Sequence, residues 1–333
     1  MKNQPIPGTG GELYVPMDQR GGGRSVVYFT RDLSPEGLKK LYARICGPLT
    51  GKVAVKLHTG EKKGPNIIPS AWVKEFLDEC LPQATIVETN TYYDGDRYTT
   101  ARHRETLQVN GWNFCPVDIM DEEGTVDLPV KEGKWFDHMT MGSHVTRYDS
   151  LLALTHFKGH TMGGFGGSNK NLGIGMADGR IGKGMIHAKN GDDWGVNTEE
   201  LMEKIAESTK ATVDHFAGHI SFLNVLRNMS VSCDCEGTAA QPVVTPNIGM
   251  VASLDILAVD QASIDLVFAL NPADNKALTE RIISRHGLRQ LSYMKELGMG
   301  NDLYDLVDID NGDALITPAE AVKDVVPFSP FAL

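Results

Sequence analysis

The chain of 333 residues is poor in cysteine, with five in all, and holds no basic block; Lys and Arg total 32 against 43 Asp and Glu, a formal net charge of −11. Without a basic stripe, the electrostatic footprint for nucleic acid or an anionic membrane is missing. No stretch approaches 18 uninterrupted apolar residues, which excludes a spanning helix, and the first 24 residues lack the apolar core of a secretory signal. The odd, scattered cysteines (Cys46, Cys80, Cys115, Cys233, Cys235) argue against a disulfide framework and for a reducing compartment. The expectation is a cytoplasmic protein with no nucleic-acid or membrane partner; an oligomer stays open. Repeats and low-complexity tracts are also lacking. Hydrophobic residues at 41% and charged residues at 23% are ordinary for a globular chain that buries a large core.

What is present is alternation of strand and helix. A β-branched run at 26–29 precedes Ser34-Pro35-Glu36, a helix start. Strands follow at 52–57 and 85–88, with a helix capped by Ser70 between them. Further strands are expected at 112–120 and 149–155. A helix starts at Thr198 and runs toward Leu226; a strand covers 249–257, a helix 258–269, and one helix Leu278–Leu297 with Gly298 as its C-cap. The fold class is α/β, in two lobes with mostly parallel sheets and a loop-lined cleft between them. Residues 1–24 read as an arm, 25–325 as one domain whose lobes divide within 120–150, and 326–333 as a tail. The cleft is formed by loops 58–66, 90–104, 156–175 and the turn at 233–235.

The densest chemical signal is HFKGHTMGGFGGSNKNLGIG, residues 156–175. Gly163, Gly164, Gly166, Gly167, Ser168 and Asn171 expose backbone to an anion, and Lys170 supplies a point charge. His160 is the acid/base candidate, with His58 as a second. The plain alternative is a tight structural loop. The second signal is Cys233-Asp234-Cys235, whose thiolates in a turn suit one soft metal or a cluster. Two sulfurs fill half of a tetrahedral site, and His215 and His219, four apart on one face if 212–226 is helical, are the candidates to complete it. Cys46, Cys80 and Cys115 read as inert, and His103, His138, His144 and His286 as structural. His187 is placed to share the cleft.

The segments KGHTMGGFGGSNKNLGIGMADGRIGK, GHISFLNV, CDCEG and IGMVASLDILAVDQASIDLV resemble, in order and spacing, the domain-of-unknown-function family 362, from about residue 25 to 325. That resemblance implies an iron–sulfur or metal centre. Many relatives carry a ferredoxin-like cysteine insert where this chain has 188–214, which holds no cysteine, so only Cys233 and Cys235 are left for the centre. A fainter resemblance, His160 to Lys170 with its glycines, is to the nickel-pincer lactate racemase family, although Phe165 stands where that segment has serine. It implies histidines moving protons beside a carboxylate.

The expected function is a metal- or iron–sulfur-binding protein of oxidoreductase type acting on a small anionic ligand, its cofactor a cluster or a divalent zinc or iron ion. The alternatives are a non-redox isomerase or lyase with His160 and His58 as acid/base pair, and a ligand-binding protein without turnover.

Overall fold

The structure, a computed structural model, describes residues 11–328; the first ten residues of the expected arm and the last five of the tail lie outside the described residues. β1 (Arg24–Thr30) leads into α1 (Pro35–Ile45), which starts because Ser34 accepts the Gly37 amide and Pro35 presets the first turn. β2 (Val53–Lys56), α2 (Ser70–Cys80), β3 (Thr85–Glu88), α3 (Thr100–Val109) and β4 (Val117–Ile119) continue the alternation. Pro69, not Ser70, is the residue before α2. β5 (Thr125–Pro129) and β6 (His138–Gly142) form a separate pair, followed by β7 (Ser150–His156) and the hairpin β8 (Lys158–His160) and β9 (Gly164–Gly166). Next come α4 (Ser168–Gly175), α5 (Ile181–His187), α6 (Thr198–Phe216) and β10 (Ile220–Leu226). The chain closes with β11 (Gly249–Ser253), α7 (Ile256–Ala269), α8 (Pro272–Ser284), α9 (Arg289–Glu296), β12 (Leu303–Asp308), β13 (Ala314–Ile316) and α10 (Pro318–Val322).

Nine strands form one sheet in the order β13-β12-β1-β11-β10-β7-β2-β3-β4, and the run from β10 to β4 is parallel throughout. The α/β class with mostly parallel pairing is present. Strands from both sides of 120–150 share this sheet, β7 against β2, so the sheet itself does not divide there. Both faces are covered, as parallel sheets require. Along β7, Leu151 and Ala153 enter one apolar cluster and Leu152 and Leu154 the other, on alternate faces.

Two helices end earlier than the periodicity suggests. α6 stops because Ala217 turns left-handed (φ 46°) and Gly218 follows at φ 89°; the chain then becomes β10. Residues 212–226 are therefore not one helix. The expected helix 278–297 is two, since His286 is left-handed and the Gly287 amide returns to Ile282. Gly298 does end α9, at φ 66°. Part of the expected arm is held by its own chain: Tyr14 stacks on Phe268, and the buried Arg20 pairs with Asp265 at 2.6 Å. No helix among the described residues is long and apolar enough to cross a membrane.

Candidate functional site

The parallel strands end on one side of the sheet, where α/β folds bind ligands. A cavity of about 290 Å³ opens there, and Lys56 at the end of β2, Glu88 at the end of β3, His160 after β7 and Cys235 beyond β10 all line it. Each reaches the cavity because its strand delivers it to the same edge.

The cysteine turn is fixed by the end of β7. His156 holds the Asp234 carboxylate through Nδ1 at 2.7 Å and the Arg227 carbonyl through Nε2 at 2.7 Å. Lys158 adds an ion pair to Asp234 at 3.2 Å. Burial alone would raise the Asp234 pKa, but the charges of His156 and Lys158 outweigh it and hold the carboxyl below its ordinary range. Glu236 accepts the Cys233 amide at 3.0 Å and the Ser232 hydroxyl at 2.8 Å. Gly159 packs so closely that a Cβ there would lie 2.5 Å from the Val231 Cα. The turn is thus tied from both ends.

Cys233 is buried, while Cys235 is partly exposed and faces the cavity. The hydrogen bond from Cys235, with Lys170 and His160 nearby, outweighs burial and pulls the Cys233 thiol well below its usual value; Cys235 is pushed the other way. Cys233 Sγ also receives the Cys235 amide at 3.3 Å and Lys170 Nζ at 3.8 Å. The surroundings therefore favour negative charge on Cys233 over Cys235.

Both neighbouring histidines accept a backbone amide on Nδ1: His160 from Gly163 at 2.8 Å, and His58 from Gly60 at 2.9 Å. In neutral His160 the proton then lies on Nε2, the nitrogen left for Cys233, whereas His58 Nε2 lies 3.4 Å from Arg97 Nη2, itself a donor. Neutral they are: burial, aided by Arg97, takes His58 down to about 4, and burial with Lys170 lowers His160.

Cations dominate the remaining wall. Lys56 pairs with Glu88 at 2.7 Å; Arg97 bridges Glu61 at 2.8 Å and Glu88 at 3.3 Å. Lys183 donates to Thr89 Oγ1 at 2.6 Å and to the carbonyls of Asn90 and Ala177, with no carboxylate among its partners in the described residues. Burial pushes its pKa down to about 7, against the pull of Asp121. Lys170 is buried too, and Cys233 is its only hydrogen-bond partner among the described residues.

The sequence-expected residues divide accordingly. His58, His160, Lys170 and Asn171 line the cavity, joined by His187; Asn171 accepts from Lys56 and donates to Thr155. The glycine segment is not an open anion cradle. Gly164 and Gly166 pair within the β8–β9 hairpin, the Gly163 amide is taken by His160, and the Ser168 amide at the start of α4 is taken by the Asp260 carboxylate at 2.7 Å. Gly167 is glycine because a Cβ would lie 2.4 Å from that same carboxylate. His215 and His219 do not complete a site with the cysteines. His219 begins the strand whose far end leads to the turn, ~23 Å away at about 3.3 Å per residue, and its ring faces the Pro48 carbonyl. Sequence reasoning missed Lys56, Arg97, Lys158 and Lys183. Lys56 was visible as a charge ending an apolar strand; Lys183, in a glycine-flanked helix, gave no signal.

The donor atoms of His160, Cys233 and Cys235 lie within 4.8 Å of one another, a candidate metal-binding group. The residues do not fit an iron–sulfur cluster: two sulfurs are half of the usual four thiolates, and no other cysteine groups with them. A second grouping, Asp118, Glu122 and His144, is already internally paired, with Asp118 on His144 at 2.7 Å and Arg104 on Glu122 at 2.5 Å.

Among solved structures, the chain is similar to the lactate racemase apoprotein from Thermoanaerobacterium thermosaccharolyticum, at 11% identity over 94% of this chain and 88% of that one, with a TM-score of 0.37. A protein from Thermotoga maritima is 11% identical over 57% of this chain and 49% of its own, with a TM-score of 0.34. Neither likeness bears on the chemistry of the site. No curated protein sequence matches the chain. The family model described as domain of unknown function (DUF362) matches residues 53–265, which span the sheet edge and every residue lining the cavity, and the chain belongs to that family.

Proposed function

We propose that this protein is an enzyme that binds a small anionic molecule in the cavity and moves a proton beside the anionic group, chemistry of isomerase or lyase type. The observation that carries this is Lys170: a buried ammonium facing the cavity with no carboxylate partner among the described residues. Leaving a charge so placed is costly unless a counter-ion arrives, and the Cys233 thiolate beside it balances only part of the local excess of cations. In the step proposed, the Cys235 proton moves to the Cys233 sulfur. The Cys235 thiolate, its charge steadied by the His160 Nε2 hydrogen, then takes the substrate proton; the electron pair stays on the substrate carbon beside the cation-held anionic group until a thiol returns a proton to that carbon.

A soft metal ion on His160, Cys233 and Cys235 is the second reading, favoured by their grouping. Against it stands the His160 tautomer: a ligating ring nitrogen needs its lone pair, and the other nitrogen then donates rather than accepts.

Alkylation with two reagents tests the proposal. Iodoacetate carries the negative charge that iodoacetamide lacks, so at pH 6.5 it should modify Cys235 several-fold faster than iodoacetamide does. Lys170→Met should erase that preference, and mass spectrometry locates the adduct. Equal rates for both reagents in the unmodified protein would overturn the anion reading. Cysteines that react only after a chelator strips bound metal would favour the second reading.

A further inference from the structure

We infer that the ligand is a carboxylate with an apolar body, an arylalkyl or branched alkyl acid, rather than a small polar acid; this rests on the anion site proposed above. The wall of the cavity combines cationic and apolar side chains. Lys170 and Ile174 both line it from α4, about one helical turn apart, so the charge lies at the start of that helix and the hydrocarbon about 6 Å further along. Leu201 and Ile205 line it from α6, again one turn apart. The two helices touch so closely that a Cβ on Gly173 would come 2.5 Å from the Ile205 carbonyl oxygen, which makes the four residues one continuous wall.

Aromatic rings add to this apolar lining. Tyr92 and Trp194 line the cavity with His187, their ring centroids 5.0–6.0 Å apart. Trp194 is 43% exposed, an expense of apolar surface that a bound ring or alkyl chain would cover. The polar end suits a carboxylate better than a phosphate. A phosphate favours a row of free amides at a helix start, and Asp260 has taken those of Ser168 and Asn169. What remains are side-chain donors, the ammonium groups of Lys170 and Lys183 foremost, rather than a row of amides. The volume of about 290 Å³ is near the low end of ligand pockets, yet ample for a ring or a chain of several carbons behind a carboxylate.

The test is isothermal titration calorimetry with acetate, butanoate, hexanoate, phenylacetate and 3-phenylpropanoate, with Trp194 fluorescence as a second readout. Affinity should rise about fourfold per added methylene until the cavity is full, with an increasingly negative heat-capacity change. In Ile174→Ser the gain per methylene should shrink while acetate binding is kept; circular dichroism checks its fold, and Trp194→Ala, at an exposed position, gives an independent variant. Acetate binding as tightly as the longer acids would overturn the inference and leave the anion site standing. Failure of every carboxylate to bind would overturn both.

Discussion

The Asp260 carboxylate, on α7, accepts the Ser168 amide at 2.7 Å and the Asn169 amide at 2.9 Å, and so occupies the N-terminus of α4. The helix start that the sequence offers to a ligand anion is thus filled by the protein's own. Asn224 Nδ2 donates to the same carboxylate at 2.8 Å, tying β10 to the cap. The position of Lys170, on the first turn of α4, depends on this contact.

Replacing Asp260 by Asn puts an amide N–H where one of these donors points. Two buried donors cannot face each other, so Asp260→Asn should lose about 1–3 kcal/mol. Urea unfolding measures it, and a variant as stable as the parent would remove Asp260 from this role. The site should suffer as well, with Cys235 alkylation by iodoacetate slowed in the folded variant.

Acid should unfold the protein through its histidines. Burial holds His187 down to about 4 and His103 to about 3, and both are neutral in the fold. A depressed base gives stability that is complete above the unfolded value near 6.5 and lost as the pH falls toward the folded value. Each contributes on the order of 3–5 kcal/mol at the acid end. Asp260, raised to about 6 by burial, works the opposite way, on the order of 3 kcal/mol gained as the pH falls from 6 to 4. Two histidines outweigh one carboxyl, so the urea midpoint should drop between pH 6.5 and 4.5. His103→Gln should flatten part of that slope, and a midpoint constant across the range would contradict the account.

Lys183 should set the pH dependence of ligand binding. With its pKa near 7, the ammonium is lost on going from pH 6 to pH 8, and the cavity loses one positive charge. Carboxylate affinity should fall several-fold over that interval. In Lys183→Met it should be weaker and level. Binding that is pH-independent in the unmodified protein would show that Lys183 does not act on the ligand.

Much of the site was legible as separate parts. The β-branched runs, the cap at Ser34 and the stop at Gly298 are local signals, written within one or two turns of chain, and the structure has them. His160, Lys170 and Asn171 stood out because glycines surround them, and Cys233 with Cys235 because thiols are rare here. His215 and His219 misled because a spacing of four reads as one helical face unless the chain leaves the helix. It does so at Ala217 and Gly218, where a strand paired to β7 offers more than another helical turn could.

The sequence by itself determined the class of fold, the run of strands and helices, and which residue types could do chemistry. The tertiary structure decided their use. Whether a helix start is open depends on Asp260, 92 residues from Ser168, and the ammonium beside the Cys233 sulfur comes from Lys170, 63 residues away. Such pairings follow from the order of strands in the sheet. That order is a sum of weak packing choices over the whole chain, and no local stretch of residues records it.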